Sequence, residues 1–267
     1  MTSSVKLESL VNSLVESAPP TELPGVSKDL STLLSQQGSS SIIEEALEDY
    51  VQNNAAIFSS TYIASKYNKD PHSSKYIDFV NNKKFNIDLK TQRAIDFESY
   101  EPEVQYPSYY NDLATKLIQY GEDHYPSTYA YTLIPKDSGE LVIILIGQRL
   151  NSENYFTGQW KSIYTLKDGT LSGEVSLDIH YYEDGNVRLN FNEKVNESLA
   201  GSNAGAIVNA INDVENKITL QIVENFNELN QRYFKNLRRL LPITRSKINW
   251  GSAIGNYRLG SDVVHKQ

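Results

Sequence analysis

The chain has 267 residues, 33 acidic against 25 basic, a net charge of −8 and no cysteine, so disulfides and thiolate metal sites are excluded. No stretch reaches the ~20 apolar residues a membrane-spanning helix needs. The N-terminal MTSSVKLESLVNSLVES lacks a signal-type apolar run and carries Glu8 and Glu16, so a soluble intracellular protein without a transmembrane segment is expected. The length suffices for one large domain or two modest ones with a buried core.

Three short helices come first. Val5, Leu7, Leu10, Val11 and Leu14 recur at helical spacing behind Ser4, a candidate cap, and Pro19-Pro20 ends the pattern. Residues 23–34 make a second helix. After Gly38 and its serines, residues 41–53 make a third, with Ser41 and Glu44 at capping-box spacing. None is long enough to stand alone in water, so they must stack on one another.

Short strands separated by polar turns follow at 58–65, 76–80, 85–89 and 94–97, then a helix at 109–119 and a strand at 129–134 that stops at Pro135. Longer strands come next, at 141–148, 160–166, 171–182 and 187–191. Asp168-Gly169 and Asp184-Gly185 connect two pairs of them, and Asp-Gly between strand patterns is a strong hairpin signal. The middle of the chain therefore reads as an antiparallel meander, which argues against dinucleotide-binding folds.

The strongest single pattern is Ile207, Ile211, Val214, Ile218, Ile222, Phe226, Leu229, Tyr233, Leu237 and Leu240, stepping by three or four throughout. A helix over 207–241 would be about 52 Å long at 1.5 Å per residue. A globule of this size is about 47 Å across. Such a helix either projects or has its stripe covered by another subunit. The second is expected, because an exposed apolar stripe of that length is an aggregation hazard. Ile211, Ile218, Ile222, Phe226 and Leu229 are the candidate interface.

Charge is segregated along the chain. Arg232, Lys235, Arg238, Arg239, Arg245, Lys247 and Arg258 fall between Arg232 and Gly260 with no acid among them, which leaves the remainder at −15. Basic residues in a helix's last turn can simply complement its dipole. That accounts for Arg238 and Arg239 but not for the run past Pro242, so the segment points to a partner. Beyond Pro242, Ile243, Trp250, Ile254 and Tyr257 form a shorter apolar stripe, interrupted by Gly251, Gly255 and Gly260. This segment reads either as an arm that folds against a partner or as a helix docked on its own domain.

Catalytic signatures are missing. The four histidines, His72, His124, His180 and His265, show no metal-ligand spacing, and HExxH, GxSxG and GxxxxGK[ST] do not occur. The glycines of AGSNAGA lack a phosphate-reaching lysine and read as a lead-in to the long helix. Strand alternation separates His180 and Tyr182 from Tyr181 and Glu183, which disfavours an acid–base cluster there. Eight tyrosines between Tyr100 and Tyr131 read as packing. No enzyme, cofactor or metal is expected.

Two blocks, VSLDIHYYEDGN (175–186) and FKNLRRLLPITRSKINW (234–250), resemble the signature stretches of the α subunit of F-actin-capping protein. A third, NYFTGQWKS (154–162), is similar to that family's NFWxGxWRS element, departing at Tyr155-Phe156 and carrying Lys161 where arginine is usual. WGSAIGNYRLG is most similar to fungal members. The resemblance covers roughly the last 110 residues; the first 130 agree in element order.

The resemblance implies an α+β fold: an N-terminal helical stalk, an antiparallel β-sheet crossed by one long C-terminal helix, then an amphipathic tentacle. The implied segments are 1–55, 56–135, 136–241 and 242–267. It implies an obligate heterodimer with a β subunit that caps actin filament barbed ends without calcium, in the cytoplasm and cortical actin patches. A basic triad at the tentacle root, here Lys235, Arg239 and Arg245, would meet actin's acidic surface beside Arg238 and Lys247. Trp250, Ile254 and Tyr257 would anchor the tentacle. Phosphoinositides and capping-protein regulators would compete for the same patch. The other readings are nucleic-acid or anionic-lipid binding through 232–258, and an inert scaffold. The −15 remainder repels polyanions, and no nucleic-acid module is present.

Overall fold

The computed structural model describes residues 2–34, 40–183, 186–201 and 203–234. The chain divides into two units, residues 1–212 and 213–267.

Helices α1 (Thr2–Glu16), α2 (Leu23–Leu33) and α3 (Ser40–Asn54) form a bundle. α1 and α3 each begin one or two residues before the expected cap, so Ser4 and Ser41 sit inside their helices. Pro24 opens α2, where a missing N–H costs nothing. Val11, Val15, Leu23, Leu30, Ile43 and Leu47 make the bundle core. These are the heptad-spaced apolar positions of each helix, which explains why three short helices persist together.

Two small sheets follow. β1 (Ala56–Phe58) pairs with β2 (Tyr62–Ala64), and β3 (Tyr76–Asp78), β4 (Lys83–Asp88) and β5 (Arg93–Ser99) pair in order. The single strand expected over 58–65 is thus two strands. Ser59 and Ser60 both take positive φ and reverse the chain. Ser59 Oγ accepts the Ala94 amide at 3.0 Å and the Ser59 amide donates to Gln92 O, so the turn is tied to β5.

α4 (Tyr110–His124) packs against the edge strand β6 (Thr128–Pro135) of a five-stranded antiparallel meander. Its other strands are β7 (Leu141–Asn151), β8 (Phe156–Lys167), β9 (Thr170–Tyr181) and β10 (Val187–Ser198). Tyr110 Oη donates to Leu133 O at 2.8 Å and Tyr129 Oη to Leu117 O at 3.1 Å, which fixes helix to sheet. Gly121 permits this approach, since a Cβ there would lie 2.1 Å from the Tyr129 ring. The tyrosines are packing residues as expected: Tyr106 contacts Tyr110, and Tyr125, Tyr129 and Tyr131 stack in series. Residues 141–147 of β7 are all buried, the mark of a strand covered on both faces.

The β8–β9 hairpin has the expected two-residue Asp-Gly loop. Lys167 pairs with Thr170, and Asp168 and Gly169 take φ of 49° and 74°. Residues 184 and 185 lie outside the described residues; Tyr181 pairs with Val187 across that connection. β10 extends to Ser198, seven residues beyond the expected Phe191, because its register with β9 continues to Thr170.

α5 (Ala204–Glu228) begins in the first unit, where Ala204, Ile207 and Ile211 are buried. The expected helix over 207–241 is α-helical only to Glu228. Leu229–Phe234 winds as a π-helix, with i→i+5 bonding, and the rest lies outside the described residues.

Candidate functional site

Three surfaces bear on function: the stripe of α5 leading to the basic segment, the free edge of the sheet, and the joint between helix bundle and sheet.

Along α5 the apolar stripe changes character. Ile211 is fully buried and Ile218 and Ile222 nearly so, whereas Phe226 is 40% and Leu229 37% exposed. Leu229 stands eighteen residues after Ile211, five full turns, and so projects from the same face. The cover therefore gives out toward the helix end while the apolar pattern continues. Leu220 and Val223 are also exposed and widen the bare face. The stripe count missed these two because they lie off its line.

Of the seven segregated basic residues, Arg232 is described. It is exposed, and its Nη1 meets Glu228 Oε1 at 2.6 Å, one helical turn back. Such an exposed i,i+4 pair contributes ~0.3–0.5 kcal/mol. Lys235, Arg238, Arg239, Arg245, Lys247, Trp250, Ile254 and Tyr257 lie outside the described residues.

β10 is twelve residues long and pairs only with β9 among the described strands. Leu189, Phe191, Glu193 and Val195 alternate inward of exposed Arg188, Asn190, Asn192 and Lys194. Its outer row of N–H and C=O groups is an open template for another strand.

The joint was not visible in the sequence. Arg188 on β10 forks onto Asp178 of β9, with Nε–Oδ1 at 2.9 Å and Nη2–Oδ2 at 2.5 Å. The same guanidinium donates to Ser17 O at 2.6 Å and Ala18 O at 3.3 Å, just past α1. Lys161 Nζ on β8 donates to Asn54 O at the end of α3, at 2.7 Å. Two cations thus satisfy carbonyls at two helix C-termini, where the dipole favours positive charge. The hydrogen bond to Asp178 holds the Arg188 pKa up, and burial pushes that of Lys161 down. Nearby, burial and then the Glu16 charge raise the Tyr50 phenol to about 12. Asp178 and Lys161 belong to two of the three blocks that carried the family resemblance.

His180 and Tyr182 stack at 5.2 Å on one face, and the Tyr181 hydroxyl bonds Glu183 on the other, as strand alternation implied. Among the described residues no group of three His, Cys, Asp or Glu could hold a metal ion, and no helix is long and apolar enough to cross a membrane.

A family model of the F-actin capping protein alpha subunit matches residues 11–262. An F-actin-capping protein subunit alpha of Debaryomyces hansenii is 63% identical over 267 residues, covering the whole of both chains. The protein of the same name from Candida albicans is 52% identical, covering 99% of this chain and all of its own. That of Saccharomyces cerevisiae is 36% identical, with 98% of each chain covered. A solved homodimeric actin capping protein alpha subunit from Plasmodium berghei shares the fold, with a TM-score of 0.72 at 18% identity over 89% of this chain and 97% of its own. With its signature blocks, its mixed helix-and-sheet fold and its full-length relatives in agreement, the chain belongs to the F-actin capping protein alpha subunit family.

Proposed function

We propose that this chain is the non-catalytic α subunit of a heterodimer that binds actin filament barbed ends and blocks subunit addition and loss without calcium. The observation that carries this reading is the bare end of the α5 stripe, Phe226 and Leu229, standing in line with buried Ile211. A β subunit would cover it, together with the parts of Ile218 and Ile222 that face outward when the two chains meet. The open β10 edge gives the same partner a strand to extend.

Actin contact falls to the basic segment. Lys235, Arg239 and Arg245, flanked by Arg238 and Lys247, supply charge that speeds capture, while Trp250, Ile254 and Tyr257 slow release. On this reading the chain is organised as a helical stalk (1–55), a strand-rich globule (56–135), a sheet with the long helix (136–241) and a tentacle (242–267). It works in the cytoplasm at cortical actin patches, and phosphoinositides or protein regulators compete for the basic segment. The alpha subunit from Plasmodium berghei is described as homodimeric, so subunit stoichiometry is part of the test. Co-expression with a β-type subunit should give a one-to-one complex that stops elongation at barbed ends equally with calcium and with chelator. Elongation at an unchanged rate, or a complex of α chains alone, would overturn the proposal.

A further inference from the structure

A cleft of about 470 Å³ lies between β2, the β3–β4 turn, the end of α4 and β6, all within the first unit. That volume is in the range of ligand-binding clefts. Its wall holds two carboxylates, Asp78 and Glu122, and four tyrosines, Tyr62, Tyr125, Tyr129 and Tyr131, but no lysine, arginine or histidine.

Asp78 is 8% exposed. Its Oδ1 accepts the amides of Val80 and Asn81 at 3.2 and 3.3 Å, and its Oδ2 accepts Asn81 Nδ2 at 2.7 Å. A carboxylate has about four lone-pair sites, so roughly one is left on Oδ2. No lysine or arginine pairs with it among the described residues, and Lys83, its register partner on β4, makes no ion pair with it. Its charge is felt nearby: burial first and Asp78 second raise the Tyr131 phenol. Glu122 is exposed and has no ion pair among the described residues. Thr132, from the same wall, is 3% exposed, and its hydroxyl has no hydrogen-bond partner.

Anions and aromatic faces without a cation are the complement of a guanidinium. Its plane stacks on tyrosine, and its fork of donors fits a free carboxylate such as Glu122 while Asp78 adds field and one acceptor. We infer that this cleft is a docking site for an arginine-bearing segment of a protein partner, separate from the α5 stripe, the β10 edge and the basic segment.

Ile63 and Ile118 line the cleft and serve as reporters. The test is a methyl NMR titration of the chain, isoleucine-labelled and in complex with its partner subunit. The probes are acetyl-Ala-Arg-Ala-amide, its citrulline isostere and free spermidine. The arginine peptide should shift both methyls saturably and the citrulline peptide should not, with Glu122→Gln weakening the arginine peptide about fivefold. Equal shifts from citrulline, no saturable shift, or no effect of Glu122→Gln would overturn the inference. Spermidine binding as tightly as the peptide would replace a protein partner with a free polyamine.

Discussion

Arg188 makes four hydrogen bonds to three residues, and two of its partners, Ser17 and Ala18, are about 170 positions away in the chain. Removing it leaves the Asp178 carboxylate and two helix-end carbonyls without their donor. Charged hydrogen bonds of this kind contribute ~1.5–3 kcal/mol each when partly buried, less where water reaches them. Arg188→Met should therefore lower unfolding stability by about 2–3 kcal/mol in urea titration. Combined with Asp178→Asn, the loss should be smaller than the sum. Additive losses would mean that the pair is not coupled. Asp70 gives a second test at this scale. Burial alone would raise its carboxyl, but hydrogen bonds from Lys84, Ser73 and the His72 amide outweigh it and hold it at about 2. A depressed carboxyl stabilises the fold above its unfolded value of 3.8, and that contribution disappears as pH falls from about 4 toward 2. Asp70→Asn should flatten this acid limb; urea midpoints that fall in parallel with wild type would contradict it. Neither network could be read from the sequence. Asp178 and Lys161 were visible as members of family-like blocks, yet their partners come from helices more than a hundred residues earlier. Arg188 carried no signal at all, being one cation in a polar strand.

At the scale of elements, period decided what was legible. α5 was visible because apolar residues recur every three or four positions, and the β8–β9 hairpin because Asp168-Gly169 suits two positive φ values. The end of α5 was not, since a π-helical winding at Leu229–Phe234 has no compositional mark and Pro242 was the only stop in view. The last part of β10 was hidden for a different reason: Asn192, Glu193, Lys194 and Asn196 look like a loop until pairing with β9 holds them extended. The turn at Ser59-Ser60 was missed because two serines between apolar residues do not announce positive φ. The α5 stripe makes an element-level prediction. Phe226→Asp or Leu229→Asp should weaken subunit association at least about tenfold, the equivalent of ~1.4 kcal/mol, by sedimentation velocity. Ile211→Ala or Ile218→Ala should instead destabilise the chain's own fold by ~2–5 kcal/mol. Intact association of Leu229→Asp would remove the stripe from the interface.

For the molecule as a whole, the family and α+β class were within reach of the sequence, because signature blocks and element order survive without knowledge of contacts. What a partner must cover was not, because it depends on where burial stops. The chain expressed alone should aggregate or remain partly unfolded, its β10 edge and α5 end lacking their cover. A monodisperse, stable monomer by light scattering would contradict this. Charge distribution sets the last expectation. With seven basic residues gathered in 232–260 and a remainder at −15, attraction to an acidic surface rests on that segment alone. The most direct measurement is elongation at actin barbed ends in the presence of the α–β complex, wild type against Lys235, Arg239 and Arg245 all changed to alanine. At about 1 kcal/mol per lost charge contact, the triple variant should need roughly 100-fold more complex for the same block while still forming the heterodimer. Capping undiminished by the triple change would contradict the account.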